Sequence, residues 1–502
     1  MRGAASEEAR SYGRAAGLLT GTLATAGALA YLFFAVASHN LPSDEYGQIV
    51  VLWSVAFLVI STLFRPVEQL LAKSVADLEE RGLSFRHVCR VAALIQAGLG
   101  IGFIIVAFAL KGVIEDRLFE GDSLFFWSLI GTVLALSLSY FARGYFAGSR
   151  QMAAYSALLL VEGLARLGLA LSVAVGVTSG TAPVALAIAI GPAVSLAVVP
   201  IALAGARRVV APSEDGAPSI AVDGASEFTL AHGSGFAGAV LLIMLSEQVL
   251  LNSGVLFVRA SESTAAAGFI FNVLMVARAP VVLFQAIAAS LLPHLTRLRS
   301  RGDEASGDAF ALSIRLTLTV IAGFTIAVLI GLLAIGPAVM QIAFGDSFTY
   351  DRLGLCIVAL GMGLYLTAGT LNQAALARGQ VRRAAACWIA CALVFATANL
   401  LPVLDAFRRV EVGFAVSAGL LCAGLYGLYR RPGPAPCDGL KPGSSQELEA
   451  RLAFADEAVQ MVAQLGAGFR SSTAIEPVLP VTARMAISTT VNTESRTKLR
   501  ND

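Results

Sequence analysis

Six charged side chains stand inside long apolar runs of this 502-residue chain: Arg65, Glu68, Glu162, Arg166, Glu247 and Arg278. A charge held at mid-depth in a bilayer costs about 2.5 to 3.5 kcal/mol on insertion scales, so such groups either pair with one another or face a polar cavity. Arg65 and Arg278 carry planar guanidinium forks suited to anionic oxygens. For Arg65 the competing structural roles are a pair with Glu68, one helical turn on, or snorkelling to the nearer membrane face. Glu162 and Arg166 are spaced i, i+4 and neutralise each other on one helix face, with a cavity role as the alternative. Glu247 has no intrahelical cation. It is the candidate for a carboxylate that takes up and releases a proton, and a polar partner on another helix is its structural alternative. Asn252, Asn272, Asn372 and Gln373 could hold a hydroxyl-rich ligand or tie helix to helix. Tyr140 and Tyr145, beside Arg143, mark either an interfacial belt or a ring platform. The six cysteines lack CxxC or Cys/His spacing, so no metal site and no bound cofactor are expected.

These groups need helices to hold them. The chain contains about twelve apolar segments, each near the ~20 residues that span a bilayer. Spans are expected near 15–38, 46–72, 87–111, 122–147, 153–177, 182–205, 231–258, 265–294, 309–343, 352–377, 383–404 and 411–429. With 57% hydrophobic and 14% charged residues, and a mean hydropathy of +0.75, the chain has too little polar surface to coat a soluble globule. The fold class is therefore an all-α integral membrane bundle. A net charge of +2, spread over the loops, offers no basic face for nucleic acid. No GxxxxGK[ST], HExxH or GxSxG motif occurs in a plausible context, so no catalytic residue is assigned and an enzyme is not expected.

Lys and Arg concentrate in alternate loops: Lys73, Arg81, Arg86 and Arg90; Arg143 and Arg150; Arg207 and Arg208; Arg297, Arg299 and Arg301; Arg378, Arg382 and Arg383. The positive-inside rule then puts both termini in the cytoplasm of a multi-pass plasma or inner membrane protein. Lys111, Arg117, Arg408 and Arg409 fall on the outer side and weaken the pattern without reversing it. Residues 1–14 form a polar N-terminus, and the first apolar stretch, long enough to span, reads as a retained helix rather than a cleaved signal. Two six-helix halves, 15–205 and 231–430, are joined by a cytoplasmic linker at 206–230 rich in Ala, Gly, Ser and Pro. The tail, 431–502, carries one amphipathic stretch near 447–466 and otherwise has a disordered composition.

The halves repeat. Tyr46-Gly47 opens the second span of the first half, and Ala267-Gly268 opens the matching span of the second, 221 residues on. A basic ending follows each, Leu78-Glu79-Glu80-Arg81-Gly82 and Leu298-Arg299-Ser300-Arg301-Gly302. Six helices per half leave both in the same topology, related by an axis along the membrane normal, with a pathway between them. Pro66 and Pro280 sit in these two matching spans, where each removes a backbone donor and permits a bend.

Several motifs carry a resemblance. Leu274-Met275 with Pro280 and Ala289-Ser290-Leu291-Leu292-Pro293-His294-Leu295, then Gly336-Pro337 with Ile342-Ala343-Phe344-Gly345-Asp346-Ser347-Phe348, are similar to signatures of the multidrug/oligosaccharidyl-lipid/polysaccharide (MOP) flippase superfamily. Tyr46-Gly47 and Leu376-Ala377-Arg378-Gly379 match other recurrent turns, and the resemblance covers roughly residues 10–430. About twelve spans suits the polysaccharide (Wzx-like) branch. What the resemblance implies is movement of a polyprenyl-diphosphate-linked oligosaccharide from the cytoplasmic to the outer leaflet. Arg65 and Arg278 would bind the diphosphate, Asn252 and Asn272 the sugars, and proton or sodium coupling would use a carboxylate such as Glu247. Membrane lipids and other polysaccharide assembly proteins are the expected partners. Relatives of the lipid II type have an arginine before the Leu-Met pair, where this chain has Val273. A multidrug exporter of the same superfamily, a lipid II-type flippase and, from another class, a membrane-embedded polysaccharide polymerase are the alternatives.

Overall fold

A computed structural model describes residues 2–80, 82–209, 230–278, 306–377 and 380–430, with side chains at the margins of these segments excepted. In chain order the helices are α1 (Arg2–Asn40), α2 (Ser43–Leu63), α3 (Arg65–Glu80), α4 (Arg86–Ala109), α5 (Lys111–Val113), α6 (Ser123–Gly148), α7 (Met152–Ala174), α8 (Ala182–Ser195), α9 (Val198–Val209) and α10 (Leu230–Ser261). They continue as α11 (Thr264–Arg278), α12 (Ser306–Phe344), α13 (Arg352–Ala377), α14 (Val381–Leu400) and α15 (Ala406–Arg430). Among the described residues, 11 helices are long and apolar enough to cross a membrane, and α11 is a shorter apolar helix. The bilayer dictates this architecture, because in hydrocarbon each backbone N–H and C=O must be satisfied within its own helix.

Three elements differ from the expected spans. The second span, expected unbroken over 46–72, divides at Phe64 into α2 and α3. Pro66 lacks the N–H that would continue the ladder, so the break falls just ahead of it. The sixth span divides between Ser195 and Val198, three residues beyond Pro192. At the N-terminus, α1 runs back to Arg2 instead of beginning at residue 15, adding a polar extension to the first span. Pro280, residues 210–229 of the linker and the whole tail, 431–502, lie outside the described residues.

Packing is strongest between α1 and α7, α3 and α6, α7 and α8, α10 and α14, and α13 and α15, while α2 against α10 joins the two parts of the chain. Glycine permits the closest of these approaches: a Cβ on Gly144 of α6 would lie 2.7 Å from the Glu68 carbonyl oxygen of α3. That contact brings two charge-bearing helices together. One large core cluster runs through both parts, including Phe33, Phe34, Tyr46, Phe64, Phe125, Phe271, Phe344 and Phe414. Long exposed apolar faces remain on α4 (Leu94, Ile101, Ile105) and α12 (Ile326, Ile330, Leu333), as expected of surfaces that meet lipid.

Candidate functional site

The interior charges fall into a connected row. Arg166, one turn beyond Glu162 on α7, donates from Nη2 to Glu162 Oε1 at 2.7 Å. The second carboxylate oxygen, Oε2, accepts from Arg143 Nη2 on α6. Each arginine also lies over an aromatic ring, Arg143 at 4.7 Å from the Tyr140 centroid and Arg166 at 4.7 Å from that of Trp53. A guanidinium face over a ring gains further electrostatic attraction when desolvated. One carboxylate thus holds two buried cations in place.

Arg143 corrects the sequence reading. It was expected in the loop between the fourth and fifth spans, but it lies inside α6, 5% exposed, and is not part of the basic loop pattern. Tyr140, expected at the interface or as a platform, is buried beneath it. The clue was present, since Arg143 falls near the end of an apolar run and Glu162 in the next has two oxygens to fill, but contacts between helices leave no spacing signal.

Next along the row comes α3. Arg65 opens it, 5% exposed, and Glu68 lies within electrostatic reach of both Arg65 and Arg143. Glu247 of α10 is also within reach of Arg65, and it accepts a hydrogen bond from the Tyr365 hydroxyl of α13. Tyr365, a participant that sequence patterning missed, reaches Arg278 and Arg65 as well. Arg278, at the end of the described part of α11, donates from Nη2 to the Leu251 carbonyl and stands near the hydroxyl oxygens of Tyr31 and Tyr365. Among the described residues it has no carboxylate partner, and its Nε makes no hydrogen bond. The row therefore brings Arg65, Glu68, Glu162, Arg166, Glu247 and Arg278 together, with Arg143 added.

The in-span amides are held more locally. Asn272 is fully buried and its Oδ1 accepts from the Tyr46 hydroxyl at 2.5 Å, tying α11 to α2. Asn252 donates to Gln248 Oε1, one turn back, at 2.8 Å, and Trp388 donates to Asn372 Oδ1 at 3.0 Å. Pro66 stands in the first turn of α3, directly after Arg65.

At the end of the molecule carrying the turns 41–42 and 262–263, the matched glycines meet. A Cβ on Gly47 would lie 2.0 Å from the Thr264 carbonyl oxygen, and one on Gly268 would lie 3.1 Å from the Tyr46 ring and 3.3 Å from Gly47 Cα. Helices α2 and α11 are in backbone contact there. At the same end, Arg408 bridges Asp351 and Glu411, each at 2.7 Å, and the Tyr350 hydroxyl donates to Glu411. Burial opposes ionisation of Asp351, but hydrogen bonds from Arg408 and the Gly354 amide outweigh it and hold its carboxyl below the usual range. Burial, together with donation to Glu411, raises the Tyr350 hydroxyl above its ordinary value. A groove of about 220 Å³ lies elsewhere, lined by Val394, Leu401, Leu404, Arg409 and Val416 of the α14–α15 region, and shares no lining residue with the charged row.

No protein-family model and no curated protein matches the chain. Solved structures do. The chain is similar to the inward-facing conformation of a multidrug resistance MATE family transporter of the MOP superfamily, with 13% identity, 80% of this chain and 93% of that chain covered, and a TM-score of 0.56. It is similar to an outward-facing conformation of a multidrug resistance MATE family transporter at 12% identity, 82% and 94% coverage and a TM-score of 0.52. It is also similar to the eukaryotic MATE transporter AtDTX14, at 14% identity, 88% and 98% coverage and a TM-score of 0.55. At these identities the likeness speaks for architecture: the chain has the all-helical membrane fold of MATE transporters of the MOP superfamily.

Proposed function

We propose that this chain is an alternating-access carrier that moves a polyprenyl-diphosphate-linked oligosaccharide from the cytoplasmic to the outer leaflet. The observation that carries the reading is the state of Arg278. Arg143 and Arg166 share Glu162, and Arg65 lies within reach of Glu68 and Glu247. Arg278 differs from these in having no carboxylate partner among the described residues; its Nε, like those of Arg143 and Arg166, makes no hydrogen bond. An interior cation without a counter-ion is costly, and a phosphate oxygen supplies what it lacks, in the geometry that guanidinium forks favour.

Arg65 is the second diphosphate contact from the other side of the row, and the lipid tail stays in the bilayer. Asn252 and Asn272 contact sugars once helices α2 and α11 separate. Glu247, which accepts from the Tyr365 hydroxyl, is the coupling carboxylate for a proton or sodium ion. In this reading the seam at Gly47 and Gly268 closes the outer side, and both termini are cytoplasmic.

A second reading, export of organic cations, draws on the three interior carboxylates Glu68, Glu162 and Glu247, of which Glu247 accepts a hydrogen bond from the Tyr365 hydroxyl. One experiment separates the two. Reconstituted protein should make a fluorescent polyprenyl-diphosphate-linked oligosaccharide accessible on the far side of the vesicle. Arg278→Gln should reduce that rate by on the order of 100-fold, the loss of about 2.7 kcal/mol from a charged hydrogen-bonding partner. Equal rates for wild type and an Arg65→Ala/Arg278→Ala double variant, with organic cations transported by both, would replace the first reading by the second.

A further inference from the structure

The loop 110–122 does more than connect α4 to α6. It begins with α5, passes through a π-helical turn at Ile114–Leu118, and then folds sharply: Glu120 has φ 56° and Gly121 has φ 86°. The second value suits glycine, whereas the first is a backbone conformation that a glutamate rarely adopts. Phe119 is wholly buried and stacked on Phe125 at 5.5 Å, and the Gly121 amide donates to the Glu115 carbonyl at 2.9 Å. Both contacts fix the strained turn. A left-handed residue held this firmly by its neighbours points to a role for its side chain.

That side chain reaches across the molecule. Glu120 Oε1 accepts from the Thr264 hydroxyl at the start of α11 and lies 3.4 Å from Arg259 Nη2 near the end of α10. Its Oε2 accepts from Gln48 Nε2 of α2 at 3.4 Å. Arg259 grips the same loop a second time, donating from Nε to the Leu118 carbonyl at 3.2 Å. Thr264 is the residue whose carbonyl abuts Gly47. One carboxylate thus gathers donors from α2, α10 and α11 at the seam where α2 and α11 touch.

We infer that the 114–122 loop is a clasp: the Glu120 carboxylate locks the α2–α11 seam shut, and its release from Thr264 and Arg259 is required before that end of the molecule opens. The inference rests on the alternating-access reading above, because a seam that never opens needs no clasp. The unfavourable backbone at Glu120 favours release, and the contacts to Thr264, Arg259 and Gln48 oppose it. The closed seam thus combines buried apolar packing, with Tyr46 and Phe271 in one core cluster, and a few replaceable polar contacts at Glu120, the part that can be exchanged each time the gate reopens.

The test reads the seam directly and needs no substrate. Ala267→Cys, placed in a protein whose six native cysteines are replaced by alanine, puts a thiol at a fully buried position between Thr264 and Gly268. With the clasp intact, a membrane-impermeant maleimide applied from the seam side should label it slowly. Glu120→Gln should raise the labelling rate by on the order of tenfold, and Thr264→Val should do so independently without altering the loop backbone. Glu120→Gly, which relieves the left-handed strain while removing the carboxylate, should also expose the thiol and leave thermal stability unchanged or higher. Unchanged labelling in both Glu120→Gln and Thr264→Val would overturn the clasp, whatever the substrate proves to be. Faster labelling in a protein that moves no diphosphate lipid would sink the proposed cargo and leave the clasp standing.

Discussion

Glu162 is the residue on which the interior electrostatics turn, because two buried guanidiniums converge on its one carboxylate. Replacing it with Gln removes the negative charge, deprives Arg166 of its bonded carboxylate and leaves Arg143 to the less direct influence of Glu68. Loss of one partner from a buried pair costs about 3 to 5 kcal/mol. Glu162→Gln should therefore lower the melting temperature in detergent by more than Arg166→Met, which still leaves Glu162 paired with Arg143; fluorescence-detected gel filtration after heating would measure the order, and equal midpoints would count against a shared carboxylate. The Glu162–Arg166 pairing was legible from its i, i+4 spacing. Arg143 was not, because its partner is 19 residues away on another helix and no local pattern records that. Asp351 gives a pH signature outside the spans. Its carboxyl is held below the usual range, so its contribution to stability is present above about pH 4, the unfolded value, and is lost as pH falls through the native one. The pair with Arg408 is partly exposed, so the effect is modest. Asp351→Asn keeps a cap acceptor for the Gly354 amide but removes the charge paired with Arg408, so it should cost about 0.2 to 1 kcal/mol at pH 7 and should flatten the acid limb of a stability profile.

At the scale of elements, the matched glycines explain why the repeat was visible before its purpose was. Gly47 and Gly268 begin equivalent helices, and the structure puts those two helix starts against each other. A methyl on Gly47 has nowhere to go, because the atom 2.0 Å away is backbone, whereas one on Gly268 meets mainly the edge of the Tyr46 ring at 3.1 Å. Gly47→Ala should therefore destabilise the closed seam by about 1 to 3 kcal/mol through overpacking, with Gly268→Ala milder. Maleimide labelling of Ala267→Cys in each background would rank them, and a reversed order would show that the two helices part by a different route. The break between α2 and α3 follows the same logic. Pro66 announced a bend, but whether the helix curves or divides depends on the packing of Arg65 and Phe64, both buried, and that is a tertiary property. Pro66→Ala, which restores a backbone donor, should slow transport more than it lowers the amount of protein in the membrane. Equal losses of both would make the proline merely structural.

Over the whole molecule, the spans were readable because the bilayer imposes a length and an apolar composition on every helix. The charged row was readable only in part, because Arg65, Glu247, Tyr365 and Arg278 come from four helices, and their meeting depends on how α3, α10, α11 and α13 pack. The same packing makes a prediction about binding. Four interior guanidiniums, Arg65, Arg143, Arg166 and Arg278, stand with three carboxylates, Glu68, Glu162 and Glu247, so the row lacks one negative charge when every group is ionised. A diphosphate makes up that deficit, whereas an organic cation deepens it. Whatever binds the folded state stabilises it by about 2.7 kcal/mol at a hundredfold excess over Kd. A polyprenyl diphosphate should thus raise the thermal midpoint of the solubilised protein by a few degrees, while the polyprenyl alcohol with the same chain should not. Arg278→Gln should abolish the shift and Arg409→Gln, at the separate α14–α15 groove, should leave it intact. If the alcohol stabilises as well as the diphosphate, the lipid chain is being read and the guanidiniums are not. If only organic cations raise the midpoint, Glu247→Gln becomes the variant that must remove the effect, and the cargo is a cation.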